Sequence, residues 1–479
     1  MTNVVPPRTK RRLKLAPSAQ ALANGFARIR EELQIPEEFP PEVEAEAQRA
    51  AIRDPRDGRG HADRTDVELL TIDPAGSMDL DQAYHAERTT GGFRVFYAIA
   101  DVAWFVTPGG ALDAESRSRG ETMYSPDVRT PLYPPVLSEG AASLLPDQLS
   151  PAVLWTFELD ARAEPVHVDA RRALVRSRRR LTYEEAQQNV ETVDSLALLR
   201  DIGMLRVARE RERGGVTLDI PEQEVLRSEP GYVLEYRRML PIENWNAQIS
   251  LLTGLCAARL MMDAGIGILR TLPAPPQSAL AALRRTAHAL GVRWPEDQDR
   301  ATFLQSLDAA DPRHAAILAL VPSLMRGAGY SAFHGTPSPD DQHSGIASFY
   351  AHATAPLRRV GDRFVNEIAL AACARHSPPG WVIDSIDSLP KALEEASARA
   401  ARLERQILDF VEASVLASRI GETFEGVVTD TDDKGGWIQI AEPAVRARVS
   451  GDIRLGERAR ATVVEADPTT GRTRFQAQH

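Results

Sequence analysis

The chain has 479 residues, 43% of them hydrophobic and 26% charged, with a formal net charge of −10. This length exceeds one ordinary hydrophobic core and predicts two or three domains, and no apolar run approaches the ~20 residues that a membrane-spanning helix needs. The acidic total excludes a nucleic-acid binder that relies on overall charge, though not one that grips phosphate along a locally basic path.

Residues 1–15 are basic and proline-containing, without the apolar core of a secretory signal. Arg8, Lys10, Arg11, Arg12 and Lys14 form a basic cluster there. Over 18–34, Leu22, Phe26, Ile29 and Leu33 recur at helical spacing until Pro36, Pro40 and Pro41 break the pattern. A second helix is predicted over 41–52, with proline in its first turn. Residues 1–60 thus predict a small basic helical region. It reads either as a helix-turn-helix type of nucleic-acid-binding module or as a cap packed on the main domain.

Residues 61–418 predict that main domain. Strand signals come first, over 67–72, 93–99 and 154–159. Helical patterns come later, over 184–211, 242–264, 278–290, 303–307, 315–325, 363–373 and 389–417. Strands first and helices later predict an α+β domain with a mixed sheet. Cys256 and Cys373 are the only cysteines. Their apolar helical contexts predict buried free thiols in a reducing cytoplasm, and no zinc site.

Residues 419–479 change character. Short β-type runs over 421–429, 436–440, 445–450 and 457–464 are separated by turns at Gly435-Gly436 and Asp467-Pro468. They predict a small all-β barrel of the five-stranded OB type. Phe424 and Trp437 read equally as stacking platforms for bases or as barrel core. Arg446 and Arg448 alternate on one strand face and suit phosphate contact.

The segment most suggestive of chemistry is 71–83. Asp73, Asp79 and Asp81 fall within nine residues, with no Lys or Arg among them. Asp79 and Asp81 are two apart, so an extended segment points both to one face. Asp73 lies across a Pro/Gly/Ser turn and can fold back on them. Converging carboxylates repel unless a cation lies between them, and hard oxygen ligands suit magnesium or manganese. The plain alternative is an acidic surface loop after a strand.

That segment resembles the ribonuclease II family signature, a strand followed by Asp, five residues, Asp, one residue and Asp-Asp. Asp73, Asp79 and Asp81 match, and Gln82 stands where the family usually has a fourth aspartate. Further similar blocks come in order: Ile99-Ala100-Asp101-Val102, Tyr124-Ser125-Pro126, Ser143-Leu144-Leu145-Pro146, Leu181-Thr182-Tyr183-Glu184-Glu185-Ala186, and Ile242-Glu243. Tyr350-Ala351-His352-Ala353-Thr354-Ala355-Pro356-Leu357-Arg358-Arg359 and Glu404-Arg405 complete the series. The resemblance runs from about residue 39 to the C-terminus.

This resemblance implies a hydrolytic, metal-dependent exoribonuclease. It would digest single-stranded RNA from the 3′ end to nucleoside 5′-monophosphates, in a channelled mixed-sheet domain closed by an OB fold. It implies magnesium, with manganese as the alternative, held by Asp73, Asp79, Asp81 and Gln82. It sets Arg358 on the scissile phosphate, with Arg359 sharing that duty or pairing with a structural carboxylate. Tyr124 is implied to stack on the 3′-terminal base. Tyr183, Glu243, Thr354 and Glu404 are implied to lie near the metal or the RNA, with Asp101 supporting the metal shell. The second aromatic of the family's base clamp falls near Thr217, so the clamp looks half missing. The short helical N-terminus departs from the family's usual β-barrels there, which extends the expected substrates to structured RNA with a 3′ overhang. Gln82 offers a neutral carbonyl in place of a carboxylate, predicting a metal-hungrier enzyme. A catalytically silent RNA-binding member is the alternative reading. A cytoplasmic monomer without membrane contact completes the expectation.

Overall fold

Apolar and aromatic runs early in the main domain pair into a seven-stranded mixed sheet, in a computed structural model that describes residues 19–57, 60–218, 220–228 and 231–478. Across the sheet the strands run Ala62–Asp63, Pro165–Val175, Ser150–Asp160, Gly92–Ala100, Gln82–Thr89, Leu69–Asp73 and Ser177–Thr182. The outermost pairing on each side is parallel and the rest are antiparallel. Gly92–Ala100 lies mid-sheet and is buried along nearly all its length, because helices cover the sheet. Helix Asp194–Arg213 packs on Gln82–Thr89, and helix Val360–Ala374 packs on Pro165–Val175. Helix Pro241–Ala264 packs against both helices. Trp155 is fully buried, and its indole donates to Asn366 Oδ1 at 3.0 Å, tying the sheet to the helix that begins just after Arg358 and Arg359.

The α+β class, with a helical N-terminal region and a closed C-terminal barrel, is as the pattern predicts. The differences have local causes. Strand Ser177–Thr182 is an edge strand whose arginines face solvent, so it shows no apolar alternation. The helix expected over 184–211 is two helices, Tyr183–Gln188 and Asp194–Arg213, since Asn189 turns its amide back onto Glu185 O at 2.7 Å. The helix expected over 315–325 is also two, Pro312–Leu318 and Val321–Leu324. With Gln277–Ala289 and Arg300–Gln305 they form a helical piece around its own small core of Leu283, Phe303, Ile317 and Leu324.

Five strands close the barrel in the order Thr423–Asp432, Gly435–Ile440, Val445–Ser450, Arg472–Ala477, Arg458–Asp467. The fifth in the chain, Arg472–Ala477, buries only Phe475 and so leaves little apolar signal. Phe424 is buried edge-on against Phe475, so of its two readings the structure supports barrel core. Trp437 is half-buried, beneath the guanidinium of Arg446 at 4.9 Å and that of Arg448 at 5.7 Å.

The basic cluster at residues 8–14 lies outside the described residues. The two described N-terminal helices, Ala19–Glu32 and Pro41–Ala51, pack on the rest of the chain. Leu22, Phe26 and Ile29 join one core with Leu403, Ile407 and Phe410 of the long helix Leu389–Ala417, and with Ile438 and Phe475 of the barrel. Gly25 is the point of closest approach, where a Cβ would meet the Phe410 ring at 2.0–2.7 Å. Gly25→Ala is therefore expected to destabilise the protein by about 1–3 kcal/mol through overpacking. Urea unfolding measures this, and an unchanged midpoint would contradict the tight docking of the first helix.

Candidate active site

Strand Leu69–Asp73 is buried until its last residue, and its register sets Asp73 beside Thr182. The chain then turns, with Ser77 N donating to Pro74 O at 3.1 Å and Gly76 at φ +84°, a conformation glycine adopts without strain. The acidic segment is held from three sides. Arg180 donates to Ser77 O at 3.0 Å. Ser143 Oγ donates to Met78 O at 2.6 Å and accepts from Leu80 N at 2.9 Å. Ala100 N donates to Asp81 O at 2.9 Å.

Asp81 is 5% exposed, and its Oδ1 accepts from Leu357 N at 2.7 Å. Its Oδ2 lies 3.6 Å from Arg358 Nε, while the Arg358 side chain remains 42% exposed. Burial pushes the Asp81 carboxyl up to about 8; Arg358 and Leu357 N offset part of this, and the charge on Asp79 adds to it. Burial, and then Asp79, push Asp73 up to about 7, against the nearby Thr71 hydroxyl, Arg180 and Arg358. Asp73 Oδ2 is buried without a hydrogen-bond partner. Asp79 forms an ion pair with Arg129, which also holds Glu139.

Among the described residues no three His, Cys, Asp or Glu side chains form a ready-made metal cage. The buried Asp81 and half-buried Asp73 carboxyls, each repelled by Asp79, nevertheless fit a hard divalent cation, which takes one or two protein carboxylates and completes its shell with water and phosphate. Gln82 fits less well. Its Oε1 already accepts from the Tyr97 hydroxyl, and from Ser250 Oγ at 3.3 Å. The two hydroxyls are themselves 2.8 Å apart.

Arg358 and Arg359 have different surroundings. Arg359 makes two bonds to Asp362, at 3.0 and 2.9 Å, and Asp362 also accepts from Ala355 N at 2.8 Å. Of its two readings, pairing with a structural carboxylate is what the geometry contains. Thr354 is buried in the same segment. Tyr183 opens a helix capped by Thr182 and Glu185, and burial, then Asp73 and Glu243, push its hydroxyl up to about 12. Tyr124 is 52% exposed, within the fields of Asp79, Asp81 and Arg358.

Other expected residues have partners of their own. Glu243 Oε1 accepts from Leu240 N at 2.9 Å and Arg237 Nη2 at 2.6 Å, capping helix Pro241–Ala264. Asp101, expected to support the metal shell, bonds Arg172 at 2.9 Å and His61 at 3.2 Å. Glu404 is exposed on helix Leu389–Ala417, and no bond of the described residues ties it to the aspartates or Arg358. Thr217 Oγ1 donates to Glu210 at 2.5 Å on the wall of a cavity of about 390 Å³ that Trp245 also lines. Sequence reasoning missed Arg129, Tyr97, Ser250 and the Leu357 amide. None carries a local signal, since each matters only through a partner distant in sequence.

The family model described as "RNB domain" matches residues 62–374, and that for the "RNase II-type exonuclease C-terminal S1 domain" matches 422–478. The chain is 26% identical to Ribonuclease R of Thermotoga maritima, over 93% of this chain and 69% of that one. It spans about half the length of several other curated ribonuclease R sequences that it matches. The structure titled Mycoplasma genitalium RNase R in complex with ribose-methylated single-stranded RNA has a TM-score of 0.84 at 20% identity, over 95% of this chain and 78% of that one. Yeast Ssd1, titled a pseudonuclease, has a TM-score of 0.70 at 15% identity, over 94% and 57%. These two share the fold. Among the described residues no helix is long and apolar enough to cross a membrane.

The raised carboxyls have a consequence for stability. Without metal, native Asp73 and Asp81 keep their protons up to about pH 7 and 8, whereas unfolded aspartates lose them near pH ~4. Between those limits the native state binds more protons, so stability falls as pH rises. In chelator, the urea midpoint is expected to fall from about pH 5 to about pH 8, and Asp81→Asn to flatten the fall. A variant with the same slope as the parent would contradict this.

Proposed function

Because the chain belongs to the RNB family of ribonuclease II and R proteins, we propose that it is a metal-dependent 3′-to-5′ exoribonuclease that hydrolyses RNA to nucleoside 5′-monophosphates. The observation that carries the reading is the meeting of Asp81 with the Leu357 amide, 276 positions away, and with Arg358 beside it. A buried carboxylate next to an exposed, always-charged guanidinium is what a phosphodiester bound through a cation requires.

Asp73, Asp79 and Asp81 would hold magnesium, or manganese in its place, with Gln82 outside the ligand set. A divalent ion bound there would supply a more acidic water and neutralise charge on the phosphate. Arg358 donates parallel hydrogen bonds to phosphate oxygens and stabilises charge that grows in the transition state. Leu357 N fixes the orientation of Asp81, and the Arg359–Asp362 pair fixes the turn that carries Arg358. Tyr183 keeps its proton at working pH and donates to the substrate. Tyr124 stacks on the 3′-terminal base, which suits any sequence because every base has a π-face. Glu243 and Thr354 shape the wall. Trp437, Arg446 and Arg448 line the barrel contact with the strand. The substrate is single-stranded RNA, including structured RNA with a 3′ overhang. The three units are 1–60, 61–418 and 419–479, in a cytoplasmic monomer.

The test uses a 5′-labelled single-stranded RNA of about thirty nucleotides, longer than typical single-strand site sizes, with magnesium, manganese or chelator. Stepwise shortening from the 3′ end that needs metal is expected, and Asp81→Asn is expected to slow it at least about 10²-fold while RNA binding persists. RNA bound but intact in every lane would overturn this reading in favour of a silent RNA-binding protein. Gln82→Asp adds a carboxylate and is expected to lower the half-saturating magnesium concentration about tenfold, roughly the effect of one nearby charge. An equal metal requirement in parent and variant would refute the part assigned to Gln82.

A further inference from the structure

We propose that Arg30 is a positioning residue for the 3′-end contact. It reaches from the N-terminal helix to hold Asp127 at the tip of the hairpin that carries Tyr124 and Arg129. The inference rests on the stacking role read for Tyr124.

The hairpin pairs Met123 with Thr130 and Tyr124 with Arg129, closed by a bond from Ser125 N to Val128 O at 3.0 Å. Two residues per strand cannot hold themselves in place, since even longer isolated hairpins are marginal in water. The anchors come from outside. At the root, Met123 is buried in the core that contains Leu22, Phe26 and Ile29, and Thr122 N donates to Arg358 O at 3.0 Å. On one leg, Arg129 pairs with Asp79. At the tip, Arg30 Nη1 donates to Asp127 at 2.8 Å.

Arg30 is built for this position. It is 4% exposed, and its Nε donates to Glu37 at 2.6 Å, so two carboxylates hold one buried guanidinium. Of the two, only Asp127 lies on the hairpin, so the bond to it is the one that holds the tip. Arg119 adds a second brace. It donates to Pro36 O at 2.9 Å and Glu38 O at 2.6 Å after the first helix, and to Pro131 O at 3.3 Å just past the hairpin. Tyr124 and Val128 are 52% and 40% exposed. An exposed aromatic on a short hairpin keeps one orientation only if the hairpin does. The N-terminal helix thus acts on the reaction through the Tyr124 ring and through the Asp79–Arg129 pair.

The test measures the affinity of the full chain for a fluorescent single-stranded RNA, in chelator so that no hydrolysis intervenes. The variants are Asp127→Ala, Glu37→Gln, Tyr124→Ala and the double Asp127→Ala/Tyr124→Ala. Asp127→Ala frees the tip and is expected to weaken binding about tenfold, the scale of one base stack. Glu37→Gln removes the charge of the other partner of Arg30 while keeping an acceptor oxygen, leaves the bond to Asp127 in place, and is expected to stay within about twofold of the parent. The double variant is expected to bind no more weakly than Tyr124→Ala, because the two act through one contact. Equal weakening by Glu37→Gln and Asp127→Ala, or an additive double variant, would overturn the proposal. Parent-like binding by Asp127→Ala while Tyr124→Ala binds weakly would overturn it and leave the stacking role standing. Parent-like binding by Tyr124→Ala would remove the stacking role, and the proposal with it.

Discussion

The site depends on one buried carboxylate. Asp81 is almost fully enclosed, and a carboxylate in that position needs donors, a neighbouring cation or a proton. It receives the Leu357 amide and the edge of Arg358, so burial itself draws the 350–359 segment onto the acidic turn. Helix Val360–Ala374 is then locked to the sheet by Trp155 and Asn366. Arg358 consequently sits on a rigid support while its guanidinium stays accessible, as a phosphate-binding group requires.

Charge partitioning around that contact arises from geometry. Two consecutive arginines end in opposite situations, Arg359 bonded twice to Asp362 and Arg358 facing the aspartates. Asp79 is balanced by Arg129, whereas Asp73 keeps an unpartnered oxygen. The fourth position of the acidic series is neutral, and Tyr97 and Ser250 satisfy its carbonyl. Asp73 and Asp81 are thus carboxyls of the acidic series whose ionisation burial and Asp79 oppose, and a cation added beside them would favour their charged forms.

The N-terminal helix belongs to the same structure and is not an appendage. Gly25 lets it approach Phe410 closely, and its apolar face completes a core shared by the long C-terminal helix, the barrel and the root of the Tyr124 hairpin. One apolar core therefore joins the helix Ala19–Glu32 and the barrel to the root of the Tyr124 hairpin.

Much of this is legible in the amino-acid order. Helical spacing locates Pro241–Ala264 and Leu389–Ala417 closely, and the short β-type runs locate the barrel, because periodicity is a local property of the chain. The triplet Asp73, Asp79 and Asp81 marks the acidic turn, and the block around Arg358 marks its partner. Edge strands such as Ser177–Thr182 give no such signal, because solvent-facing arginines erase the alternation that a half-buried strand shows. The sequence by itself determined which residue types are present, in which local elements, and hence the chemistry available. Only the tertiary structure decided which charge meets which: that Arg358 and not Arg359 is free to face the aspartates, that Asp101 and Glu243 are tied to Arg172 and Arg237, and that the Gln82 carbonyl is already satisfied. Those outcomes depend on burial and on side chains brought together across hundreds of positions, and no local pattern encodes the partner that a buried polar group finds.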